Sequence, residues 1–152
     1  LVRSLTEVAP LIERGELRAV DLIDAQLARI AMLDGHLQAF AQVAADLARA
    51  QARRADAELA NGRHRGPLHG IPLALGDVID VAGLPNACGS ALLRDHRPAR
   101  DAGLVEKLLA AGAVILGKLA VAEFGLDTAP SPTRNPWQVG HDAGGGAGAA
   151  VA

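Results

Sequence analysis

Two short apolar runs with one amphipathic helix pattern between them constrain this chain more than any other feature. Ile71 to Leu75 lies between Pro67-Leu68-His69-Gly70 and Gly76-Asp77, and Ala113 to Leu116 follows Gly112. Apolar runs of this length between turn formers read as strands buried on both faces. Asp101 stands between them as an N-cap, Leu104, Val105, Leu108 and Leu109 form a stripe at helical spacing, and Gly112 stops the helix. Strand, helix and strand in that order make a βαβ-like unit, which favours parallel pairing and an α/β fold. In such folds ligands and catalytic groups gather at the C-terminal ends of the strands. The first residue at that end of the first strand is Gly76, which carries no chemistry of its own.

Upstream the texture is helical. Ser4-Leu5-Thr6-Glu7 has the spacing of a capping box and leads into Val8, Leu11 and Ile12 on one face, with Gly15 at the end. A second helix is predicted over about Val20 to Leu33, carrying Leu22, Ile23, Leu27 and Ile30, with Gly35 after it. A third, rich in Ala, is predicted over about Ala41 to Leu59 and closed by Asn61-Gly62. Val78 to Val81 reads as a further extended piece, and residues 127 to 148 as loop. With 152 residues the chain fits one domain, 1–62 helical and 63–152 α/β.

Composition excludes several classes. Aromatics are 2% of the chain, so the core must be built from Ala, Leu, Val and Ile. The net charge of −2 calls for neither nucleic acid nor an anionic membrane. Arg53, Arg54, Arg63 and Arg65 cluster near the end of the third helix; they read as a solvated terminus, with a tRNA or phosphate contact as the alternative. No run approaches the ~20 apolar residues of a membrane span. Cys88 is the lone cysteine, which leaves no disulfide framework and no thiol metal site and points to a cytoplasmic setting.

The candidate chemical groups are sparse. His36, His64, His69, His96 and His141 have no metal-ligand spacing, and His69 reads as a partner for local backbone. Asp77 and Asp80 could serve as general acids, although Asp after Gly is also a turn residue. Lys118 reads as a solvated side chain at a strand end. Gly144-x-Gly146-x-x-Ala149 loosely fits a dinucleotide fingerprint without the strand that should precede it; tight backbone packing is the other reading of those glycines.

Taken together, these stretches resemble the amidase signature enzymes. "GPLHGIPLALGDVIDVAGLPNACGS" is similar to that family's Gly-Pro-Leu-x-Gly-Ile-Pro run into a Lys-Asp pair and the turns that follow. "DAGLVEKLLAAGAVILGKLAVAEF", "PTRNPW" and a glycine-rich run then occur in the family's order. The resemblance covers essentially the whole chain. It implies an α/β fold in which N-terminal helices precede part of a mixed, largely parallel sheet covered by helices, an incomplete amidase signature fold.

The resemblance also implies hydrolysis of a small carboxylic amide, or the aminoacyl-tRNA amidotransferase branch, by a Ser–cis-Ser–Lys triad with no cofactor or metal. Backbone N–H groups of the glycine-rich region would stabilise the oxyanion. Here the chain departs from the family. The lysine position falls on Gly76 while Asp77 remains; the cis-serine position falls on Ala143, followed by Gly144, Gly145 and Gly146; and the nucleophile position lies beyond Ala152. The loop "GLDTAPSPTRNPW" is shorter than the family's, so the substrate-anchoring region departs as well. The expectation is a truncated, catalytically inactive amidase-like chain. The alternatives are a non-catalytic module that pairs with another chain, or self-associates, through an exposed sheet edge, and a nucleotide-binding domain.

Overall fold

The computed structural model describes residues 4–126 and 131–143. Gly144, Gly145, Gly146 and Ala149, singled out by the sequence, lie outside the described residues. Among the described residues, four α-helices and five strands follow in order: α1 Leu5–Glu13, α2 Ala19–Leu37, β1 Phe40–Val43, α3 Ala45–Ala60, β2 Pro72–Gly76, α4 Gly103–Ala110, β3 Val114–Leu119, β4 Arg134–Asn135 and β5 Gln138–Asp142. A three-stranded sheet has the order β1-β3-β2, with β2 parallel and β1 antiparallel to β3; β4 and β5 form a separate hairpin. Among the described residues no helix is long and apolar enough to cross a membrane.

The predicted βαβ unit is present. β2 and β3 are neighbours, and Val105 of α4 packs with Leu75, Val81 and Ile115 on one face of the sheet. The other face carries α2 and α3. Ile23 and Leu27 meet Ala48, Ala52 and Ala55 over Val114 and Leu116, and the three alanines, spaced four and three apart, present a smooth face to the sheet. The core is aliphatic, as the composition requires.

The details differ from expectation in physically instructive ways. Only β3 is buried along its whole length; in β2 Leu75 alone is buried, because β2 is an edge strand rather than an internal one. α2 continues through Gly35 to Leu37. Gln38 takes the left-handed turn at φ 52°, and the Asp34 carboxylate accepts the next two N–H groups, of Ala39 (2.7 Å) and Phe40 (3.2 Å). α3 begins at Ala45 because Phe40–Val43 is drawn into pairing with β3. Gly117 permits that approach: a Cβ there would lie 2.1 Å from the Gln42 carbonyl oxygen.

Val78 to Val81 is a turn, not a strand; Ile79 N–H closes onto Gly76 O at 3.0 Å. Asp101 does not cap α4, whose N-cap is Ala102. Its carboxylate instead takes the N–H of Ala82 at 2.7 Å and ties the preceding loop. The region read as loop holds the β4–β5 hairpin. Arg65 is not a solvated end. Its side chain is 13% exposed, pairs with Glu58, and donates to the carbonyls of Leu109 and Ala110 at 3.2 Å, so it caps α4.

Candidate active site

A cavity of about 670 Å³ opens at the C-terminal ends of β2 and β3, where the fold class places ligands. Asp34 and Gln38 from the end of α2, Phe40 from β1, Asp77 after β2, Val121 and Glu123 after β3, and Pro132 line it. Gly76 is the last residue of β2. Its φ lies outside the left-handed region, and a Cβ there would meet nothing nearer than Val121 Cγ1 at 3.7 Å, an ordinary contact. The backbone therefore does not require glycine, and a side chain would fit beside a wall of the cavity.

Lys118 departs furthest from the sequence expectation. It is wholly buried, not solvated. Its Nζ donates to Asn86 Oδ1 at 2.7 Å, to Asp77 Oδ1 at 3.2 Å and to Pro85 O at 3.4 Å, so all three ammonium hydrogens have acceptors. An isolated buried ammonium would be prohibitively costly, and this one is paired and solvated by protein. Apolar flanks in "VILGKL" suggest depth; nothing local reveals its partners, which lie 32 to 41 residues away in sequence.

This cluster fixes the loop after β2. Asp77 accepts Lys118 on one oxygen and the Ala87 N–H on the other at 3.1 Å, while Asn86 Nδ2 donates to Asp80 Oδ1 at 2.6 Å. Neither carboxylate stands free as a general acid. Leu75 pairs with Lys118 in the parallel register and packs on the α4 face. Side chains alternate along a strand, so a residue at 76 points to the opposite face. Lys118 thus cannot stand in for a lysine at position 76.

Ser90, Cys88 and His69 are the next candidates for chemistry. Ser90, 3% exposed, donates its hydroxyl to Glu123 Oε1 at 2.6 Å and ties two loops of the cavity wall. Burial, with Asp77 adding to it, pushes the Cys88 thiol up, which keeps it protonated and a poor nucleophile. His69 agrees with the sequence reading: it is buried, with Nδ1 accepting the Arg65 N–H and Nε2 set 2.9 Å from Ala55 O. Ala143 follows β5, and its N–H donates to Thr133 O at 3.0 Å. Thr133, fully buried beside cavity-lining Pro132, hydrogen-bonds Gln38 O at 3.1 Å, which anchors this segment near the cavity.

Comparison with known proteins agrees with this geometry. The family model for Amidase matches residues 21–152. A glutamyl-tRNA(Gln) amidotransferase component from Anaeromyxobacter sp. (strain K) is 44% identical over 87% of this chain and 28% of its own length. The protein of the same description from Acidothermus cellulolyticus is 43% identical over 99% of this chain and 31% of its own. The native peptide amidase from Stenotrophomonas maltophilia superposes with a TM-score of 0.85 at 37% identity, over 91% of this chain and 31% of that one. The chain therefore spans about a third of the length of these relatives. On the family match, the shared fold and the ordered motifs, this chain belongs to the amidase family.

Proposed function

We propose that residues 1–152 act as one domain-like unit of the amidase fold that does not hydrolyse amides, and that this unit serves binding or assembly. The observation that carries this reading is Gly76. A glycine has nothing to titrate, so no shift in environment turns it into a base. Its backbone does not demand glycine, and the nearby Lys118 is committed to Asp77, Asn86 and Pro85 on the other face. Ala143 at the relay position adds a second loss. A hydroxyl nucleophile without its base and relay retains little catalysis, because these groups act as a unit. In this reading the ancestral substrate is a carboxylic amide, no cofactor takes part, and the setting is cytoplasmic.

The test is ammonia release by the purified chain from peptide amides, small aliphatic amides and glutamine. The expected result is no release above the blank. Ammonia release that follows the chain through successive orthogonal columns and is lost in Asp77→Asn would overturn the reading.

A further inference from the structure

The cavity at the strand ends is uneven in charge. Asp34, Asp77 and Glu123 line it, and no lysine, arginine or histidine is among its described lining residues. Buried Lys118 offsets Asp77 at 3.2 Å, but neither Asp34 nor Glu123 stands in an ion pair among the described residues. Each uses one oxygen inside the protein: Asp34 Oδ1 takes the N–H groups of Ala39 and Phe40, and Glu123 Oε1 takes the Ser90 hydroxyl. Asp34 Oδ2 and Glu123 Oε2 have no hydrogen-bond partner among the described residues. Gly76 adds a slot to the same wall. A side chain there would leave β2 beside Val121 Cγ1 at 3.7 Å and Val78 Cγ2 at 3.9 Å, with no polar atom as near. Both are ordinary van der Waals separations, so a methylene chain fits between them without displacing either valine.

We propose that the cavity binds a primary alkylammonium, with its aliphatic stem in the slot at Gly76 and its ammonium on the open oxygens of Asp34 and Glu123. This deepens the binding reading above and rests on it, because the slot exists only where position 76 carries no side chain. Small-ligand sites combine apolar lining with a few placed polar groups in this way. Uncompensated carboxylates in a concave wall concentrate cations and repel anions. An ammonium brings three donors, enough for both open oxygens, whereas a neutral amide gives up the Coulombic attraction.

The experiment is isothermal titration of the purified chain with n-butylammonium, methylammonium, butyramide and butyrate at neutral pH and constant ionic strength. n-Butylammonium should bind most tightly, and butyrate should not bind. Methylammonium should bind about tenfold or more weakly, since each buried methylene is worth roughly three- to fourfold in affinity. Gly76→Lys fills the slot with its own stem and ammonium, and should weaken n-butylammonium binding by about tenfold or more. Asp34→Asn keeps an acceptor for Ala39 and Phe40 while removing the charge, and should weaken it several-fold. Equal affinity for n-butylammonium and butyrate, or for n-butylammonium and methylammonium, would overturn the proposal. So would binding that survives Gly76→Lys unchanged. Failure of every probe to bind would overturn it as well and would leave the absence of hydrolysis standing, which falls only to ammonia release from an amide.

Discussion

At Gly76 and Lys118 the same region of the fold contains an absent side chain and a buried one, and they differ sharply in what substitution should do. Gly76→Lys places a long side chain where the nearest atom to its Cβ is 3.7 Å away, and it removes a glycine from a strand. Its cost in urea unfolding should be within about 1 kcal/mol of zero, since glycine in a strand is itself unfavourable by roughly that amount. Lys118→Met is the opposite case. It leaves Asp77 and Asn86 facing an apolar group in a buried site, and breaking such a pair from one side typically costs about 3–5 kcal/mol. The paired change Asp77→Leu with Lys118→Met should cost less than the sum of the single changes. Strictly additive losses in that double-mutant cycle would mean that the two residues are not coupled.

Among the elements, the α4 terminus and the β1–β3 contact depend most on single residues. Hydrogen bonding from Arg65, against an opposing effect of burial, holds the Glu58 carboxyl down from its ordinary 4.5 to about 2. A carboxylate depressed in the folded state contributes stability above the unfolded value, lost as pH falls toward the folded one. Stability should therefore fall between about pH 4.5 and 2, and Glu58→Gln should flatten that part of the profile. Gly117→Ala should loosen β1, because its Cβ would collide with the Gln42 carbonyl at 2.1 Å. Overpacking of this kind costs roughly 1–3 kcal/mol or more, read as a lower denaturation midpoint with unchanged slope. These contacts also mark the limit of what is legible in the sequence. The apolar runs and the α4 stripe locate β2, β3 and α4, because burial on a sheet imposes those patterns locally. β1 reads as helix since its pairing partner lies some 75 residues on, and Asp101, Arg65 and Lys118 mislead because their partners are distant in sequence. Gly76 stands out in the sequence because the motif around it is contiguous, and its meaning as a vacant lysine position remains part of the proposal.

For the whole molecule, the proposed function predicts that catalysis and assembly can be separated. The family resemblance places a base at 76, a relay at 143 and a nucleophile in sequence beyond this stretch. Gly76→Lys with Ala143→Ser would return the first two groups to the strand end and to the segment that Thr133 anchors near the cavity. A base and relay with no positioned hydroxyl have nothing to activate. Water in its place lacks the orientation that proximity supplies, worth up to roughly 7–11 kcal/mol in well-aligned systems. The double variant alone should therefore release no ammonia from a peptide amide. The wild-type chain joined to the remaining part of the Stenotrophomonas maltophilia peptide amidase should assemble and stay inactive, because the joined molecule still has Gly76 and Ala143. Only the double variant together with that complementary part should turn over substrate. Equal activity from the wild-type and double-variant complexes would show that position 76 is not the vacancy of a catalytic lysine. Activity confined to the double-variant complex would place the loss of chemistry in two side chains of an otherwise competent scaffold.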